Sequence, residues 1–309
     1  MTIDKIIIPV ILPPSDDGVF KTLFTRPESK PALCSVISGF LRRAVCSVEV
    51  INSELSISDS REKQERFDVN CMTDGGEQID VEMQSLAMSG DSFVGGHANL
   101  KSRIAYNLCD LHAKQAASGD EYRELLCSYV LMFCNFPIHD KQTNFVHHNY
   151  LCDEYGDKLT EKIGAIIVDL TMLGTVLKKT PTEMTDEEKW SIFFRYANER
   201  KHRNLINTII SNNKEIQMAN EILTSISQNE KERAHYHSRM LFQMDEQSNR
   251  AAERRMGREE GLKEGRERQV RDTVSMMLAS DYSVSEIARI NKLPISIVEK
   301  IRDEMENDV

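Results

Sequence analysis

Nothing in this sequence is long and apolar enough to cross a bilayer, and no pair of cysteines has the Cys-x-x-Cys spacing of a zinc ribbon. The one apolar run near the start, Ile6-Ile7-Ile8-Pro9-Val10-Ile11-Leu12, is too short to span and is broken by proline. It has neither a basic leader nor a small-residue cleavage site, so no signal peptide is expected. The 7 cysteines are an odd number scattered from Cys34 to Cys152, which argues against a disulfide framework and for a reducing compartment. An excess of basic charge is missing too. The 39 Lys and Arg are outnumbered by 49 Asp and Glu, for a net charge of -10. That balance cuts against a protein that simply coats nucleic acid, because phosphate binding relies on Lys and Arg releasing counterions. These absences lead to the expectation of a cytoplasmic protein with free thiols and no membrane partner.

What is present is enough for at least one full core: 309 residues, 40% apolar and 28% charged. Residues 17–46 read as helix, interrupted between Pro27 and Pro31, with Phe20, Leu23 and Phe24 and then Val36, Ile37, Phe40 and Leu41 forming apolar stripes. Residues 49–58 and 65–84 have strand character, and residues 98–117 read as a helix closed by Ser118-Gly119-Asp120. Buried strands are expected over 128–136 and 164–170, with a weaker one around 145–150. The order describes a mixed α/β core ending near residue 175. From Thr182 the strand signal disappears. Met184-Thr185-Asp186-Glu187-Glu188 opens an amphipathic helix with a capping-type start, and helical patterning resumes over 216–226 and 236–244. The expected division is an α/β domain over 1–178, a helical region over 179–250 and a distinct tail over 251–309.

The segment that carries chemistry is the run from Arg66 to Gln84. Phe67, Val69 and Cys71 alternate with Asp68 and Asn70; Ile79, Val81 and Met83 alternate with Gln78, Asp80, Glu82 and Gln84. Between the two flanks stands Asp74-Gly75-Gly76, a strong hairpin signal. A two-residue loop at Gly75-Gly76 would set Asp68 against Met83, polar against apolar. A three-residue loop with glycine in the left-handed position sets Asp68 opposite Glu82 and Asn70 opposite Asp80, and keeps all apolar residues on one face, so this register is expected. Opposed residues have Cβ atoms about 4.5–5.5 Å apart, where like charges repel. A hard divalent cation relieves the repulsion, and Mg²⁺ favours a few carboxylates plus waters. Gln84 points to the same side as Glu82 and can orient a metal-activated water. The plainer reading is a solvent-facing polar hairpin.

Asp68 followed by Glu82-Met83-Gln84 resembles the core of the PD-(D/E)XK nucleases, in the variant where glutamine takes the lysine position. The specific resemblance is to the PD-(D/E)XK nuclease family transposases, the recombination-promoting nucleases. It extends through Asp17-x-x-Phe20-Lys21-x-Leu23-Phe24, Lys63 before Phe67-Asp68-Val69, Arg103-x-x-Tyr106 leading to Gln115, Gly119-Asp120-Glu121-Tyr122, Trp190-Ser191-Ile192-Phe193-Phe194 and the glycine repeat, in order over about residues 14–270. The resemblance implies a restriction-endonuclease-like mixed sheet flanked by helices. It also implies a Mg²⁺-dependent DNA endonuclease associated with recombination or mobile elements. On it, Asp68 and Glu82 are metal ligands, Gln84 replaces the motif lysine, and Asp17 is the acidic residue contributed by the first helix. Phe67 stands where the motif has proline. Gln84 supplies no positive charge, so a lysine from elsewhere is expected, with Lys21 and Lys63 as candidates. If neither reaches the site, the alternative is a DNA-binding or oligomerising protein that keeps the fold without turnover.

Two features lie beyond that core. Gly257, Gly261 and Gly265 recur at four-residue spacing, although each costs about 1 kcal/mol of helix stability relative to alanine. The readings are a self-associating helix within residues 250–270, making a homo-oligomer, or a weakly helical connector. The same stretch is rich in arginine interleaved with glutamate, which reads first as a solvated helix and second as a DNA-facing surface. The tail, read as three short helices from Val270 to Met305, resembles a helix-turn-helix with Ala288 at the tight contact and Arg289, Lys292, Lys300 and Arg302 available to phosphates. His147-His148 and His235-x-His237 lack a third ligand at suitable spacing, so they are expected to be ordinary histidines.

Overall fold

A computed structural model of the chain describes residues 10–51, 69–85, 96–116, 121–138 and 144–307. Asp68 and Lys63 lie outside the described residues. Two compact units divide the chain, residues 1–242 and residues 243–309.

The first unit is a mixed six-stranded sheet in the order β1-β2-β3-β4-β6-β5, the α/β arrangement expected from the sequence. Its strands are β1 (Val48–Val50), β2 (Val69–Thr73), β3 (Gln78–Gln84), β4 (Ser128–Cys134), β5 (Val146–Tyr150) and β6 (Ile163–Asp169). β1, β2 and β3 pair antiparallel, β3, β4 and β6 run parallel, and β5 closes the far edge antiparallel to β6. The parallel strands β4 and β6 are apolar almost throughout, because helices cover both of their faces.

One face carries α1 (Asp17–Phe24), α2 (Lys30–Leu41), α4 (Asp186–Tyr196), α5 (Arg203–Asn212), α6 (Lys214–Gln228) and the start of α7 (Glu230–Ala279). Phe20, Phe24, Phe40, Phe133, Trp190 and Phe194 are fully buried there and pack ring against ring. The start of α4 has the anticipated capping box. Glu188 N–H donates to Thr185 Oγ1 at 3.3 Å and Thr185 N–H to Glu188 Oε2 at 3.0 Å, which satisfies two N-terminal backbone donors. The other face carries α3 (Gly96–Ala113), whose Leu100 and Ile104 bury against Val130, Met132, Ala165 and Ile167.

In the second unit, α7 continues as one helix through Gly257, Gly261 and Gly265, where an added Cβ would meet open space. Its last turns join α8 (Val284–Asn291) and α9 (Ile295–Asn307) around Val274, Ile287, Ala288, Val298 and Ile301. Ala288 occupies the interhelical contact assigned to it. Ser283 caps α8 and Lys292 takes a left-handed conformation, φ 55°, at its end.

Candidate active site

The hairpin adopts the three-residue loop. Cys71 faces Ile79, Asn70 faces Asp80 and Val69 faces Val81, and Thr73 N–H donates to the Glu77 carbonyl across Asp74-Gly75-Gly76 at 3.0 Å. Gly76 takes φ +79°, a left-handed conformation that favours glycine, with the end of the Leu126 side chain close beside it. The described ladder ends at Val69 and Val81, one step short of Glu82.

Alternation puts Asp80, Glu82 and Gln84 on the α3 face of the sheet, where β4 sets Val130, Met132 and Cys134 beside them. This polar row is covered rather than solvated: Asp80 is 0% exposed and Glu82 5%. The cover is α3. Its apolar stripe sits over β4 and β6, so the adjoining row, Arg103 and Asn107, is turned toward β3. Asn107 Nδ2 donates to Glu82 Oε1 at 3.1 Å. Arg103 Nη2 donates to Gln84 Oε1 at 2.7 Å and lies 3.4 Å from Glu82 Oε2. A carboxylate this buried is stable only if paired and hydrogen-bonded, and α3 supplies both.

The end of β3 also meets α1. Asp16 caps α1 by accepting from Val19 N–H at 3.0 Å, and the next residue, Asp17, accepts from Ser85 Oγ at 3.2 Å. Asn135, after β4, donates its N–H to the Gln84 carbonyl at 3.0 Å and its Nδ2 to Ser15 Oγ at 3.4 Å. Asp17 therefore reaches the strand end that carries Glu82 and Gln84. Lys21, one turn on, is exposed. Asp16 is clamped from the other side by Arg239 of α7 at 2.8 Å, and burial raises its carboxyl above the usual range. Arg239 lies flat over Gly18, where a Cβ would come within 2.3 Å of the guanidinium carbon.

The family model described as PD-(D/E)XK nuclease family transposase matches residues 14–253. The chain belongs to this nuclease family. Comparison with curated proteins and with solved structures gave no match. The match spans the whole sheet, helices α1 to α6 and the first part of α7, so the PD-(D/E)XK nuclease-like fold includes the helices after β6.

For the divalent cation associated with PD-(D/E)XK nucleases, the donor chemistry of these residues fits. Among the described residues no group of three or more His, Cys, Asp or Glu side chains could hold a metal. What the α3 face offers is the Glu82 carboxylate and the Gln84 amide oxygen, hard donors suited to an ion that keeps several waters. Cys134 neighbours Gln84, but burial, reinforced by Asp169, pushes its thiol pKa up, so it stays protonated and is no thiolate ligand. Asn107 was missed in the sequence, and Arg103, although part of the Arg103-x-x-Tyr106 pattern behind the resemblance, was given no role at the site. The available signal was their four-residue spacing, one position before the apolar Ile104 and Leu108.

Proposed function

We propose that the chain is a Mg²⁺-dependent DNA endonuclease of the recombination-associated type, hydrolysing phosphodiester bonds in the cytoplasm. The observation that carries this reading is a buried carboxylate, Glu82, two residues from Gln84 at the end of a strand that α1 meets with Asp17. A buried acid held by an amide and a guanidinium is costly to maintain, and a hydrophobic pair would serve stability as well. A functional site accounts for that cost.

On this reading Glu82 and Asp68 hold the cation, which when bound polarises a phosphoryl oxygen and lowers the pKa of the attacking water. The chain's own residues do the positioning. Asn107 holds one Glu82 oxygen by a hydrogen bond at 3.1 Å. Gln84 orients the water, and Asp17 adds negative charge from α1. The DNA would meet a protein of net charge -10. The exposed arginines of α7, Arg254, Arg255, Arg258, Arg266 and Arg268, are the candidate local basic surface, with α8 and α9 as a second contact. A homo-oligomer through residues 250–270 fits this picture, since two sites related by a two-fold axis address both strands of a duplex.

The test is nicking of supercoiled plasmid with Mg²⁺ and with EDTA. Cleavage that requires Mg²⁺ supports the reading. DNA binding without cleavage supports the alternative, a fold retained without turnover.

A further inference from the structure

The general PD-(D/E)XK motif has a lysine at the position that Gln84 fills in this variant, yet the site is not without a cation. We propose that Arg103 supplies the charge of that missing lysine, as a positioning residue acting on Gln84 and Glu82, and that Gln84 is the acceptor this exchange requires. The inference rests on the nuclease reading above and deepens it.

The geometry is specific. Arg103 arises from α3, not from the hairpin, and its Nη2 reaches both Gln84 Oε1 at 2.7 Å and Glu82 Oε2 at 3.4 Å. The shorter contact is a full hydrogen bond; the longer one is chiefly electrostatic. The Arg103 side chain is 37% exposed while that of Glu82 is 7%, so the guanidinium stands between a buried carboxylate and solvent. A guanidinium stays charged at any pH a protein tolerates, and the two hydrogens of the one Nη2 group suffice for both acceptors.

This contact also explains residue 84. A lysine there would put an ammonium at hydrogen-bond distance from the Arg103 guanidinium, two positive charges in a half-buried site. Glutamine presents a carbonyl oxygen instead. Positions 84 and 103 therefore form one complementary pair in which only one member can be cationic. Lys21, exposed on α1, is not required for the role.

The test is a charge-transfer cycle in the full-length protein, reading plasmid cleavage, Mn²⁺ affinity by electron paramagnetic resonance, and thermal unfolding. Arg103→Gln is expected to slow cleavage by about 10²–10³-fold, the usual cost of losing one preorganised electrostatic group. It should also bind Mn²⁺ about three- to tenfold more tightly, because a positive charge beside Glu82 has been removed. Gln84→Lys alone should be as slow as Arg103→Gln. The double variant Gln84→Lys/Arg103→Gln should recover to within about tenfold of wild type, a coupling that a merely structural arginine would not produce. Cleavage by Arg103→Gln within about threefold of wild type would overturn the proposal, as would a double variant no faster than the slower single. Mn²⁺ affinity unchanged or weakened in Arg103→Gln would overturn it as well. If wild type binds Mn²⁺ but cuts nothing, the nuclease reading fails on its own. The Arg103 assignment is then decided by the Mn²⁺ comparison, where tighter binding in Arg103→Gln sustains it.

Discussion

The two faces of the sheet are built on opposite plans. Toward α1, α2, α4 and α6, every inward side chain of β3, β4 and β6 is apolar, and the aromatic rings of four elements meet at Phe133. Toward α3 the apolar cluster stops partway, and its β3 side is given over to Asp80, Glu82 and Gln84 beneath Arg103 and Asn107. The first face is cohesion alone. The second gives up apolar burial for a polar row that must be satisfied pair by pair. On the proposed reading stability and chemistry are divided between the sides of one sheet, and substitutions should separate them.

The largest effect should come from the cohesive side. Phe133→Ala removes the ring that Phe20, Phe40 and Phe194 share, and should cost about 3–5 kcal/mol in chemical unfolding. Nuclease activity should fall only as far as the folded fraction does. A specific loss of rate in protein that remains folded would break the division of labour. Gln84→Ala, on the other side, should reduce cleavage about 10–10²-fold, less than loss of a metal ligand, with little change in the unfolding midpoint.

Arg239→Ala probes the seam where α7 meets α1. It leaves the Asp16 carboxylate without its guanidinium, and because Arg239 itself reaches solvent the cost should be about 1–2 kcal/mol at neutral pH. The pH dependence has a definite sign. Burial raises the folded pKa of Asp16 above its ordinary value, so this group's contribution is fully present below the unfolded pKa and is lost as the pH rises through the folded one. Removing Arg239 takes away a pKa-lowering charge and widens that window. The difference in melting temperature between variant and wild type should therefore be larger at neutral pH than at mildly acidic pH. A difference that grows on acidification would contradict the assignment.

The smallest change belongs to the second unit. Replacing Gly257, Gly261 and Gly265 together by alanine meets open space within the protomer and should stabilise α7 by up to about 1 kcal/mol per site. If the glycine stripe packs against another copy, light scattering should show a smaller assembly for the variant. Equal masses would remove the oligomer proposal.

Much of this was legible in the sequence because local rules agreed with the global fold. The hairpin register followed from alternation plus one loop length, and the capping-type start at Thr185 announced α4, whereas the capping box at Ser283 before α8 went unread. The strands 128–134, 146–150 and 163–169 were visible as apolar or alternating runs. The helix α5 was not recognised, although Ile206 and Ile209 bury, because its asparagine-rich sequence is a poor helix former. Nor does patterning show what covers a face. Alternation groups Asp80, Glu82 and Gln84 but is silent on whether water or a helix lies above them, and so Arg103, 19 residues after Gln84, went unassigned. The tail's first short helix is the end of the continuous α7, since isolated glycines weaken a helix without ending it.

The central claim is that the polar side of the sheet holds a metal for phosphodiester cleavage, and the Glu82 carboxylate is its most exacting point. The direct measurement is Mg²⁺-dependent nicking of supercoiled plasmid by wild-type and Glu82→Ala proteins of matched far-ultraviolet circular dichroism. The account predicts nicking by wild type that EDTA abolishes, and a rate at least about 10³-fold lower for the variant. Equal Mg²⁺-dependent rates in the two proteins would contradict it.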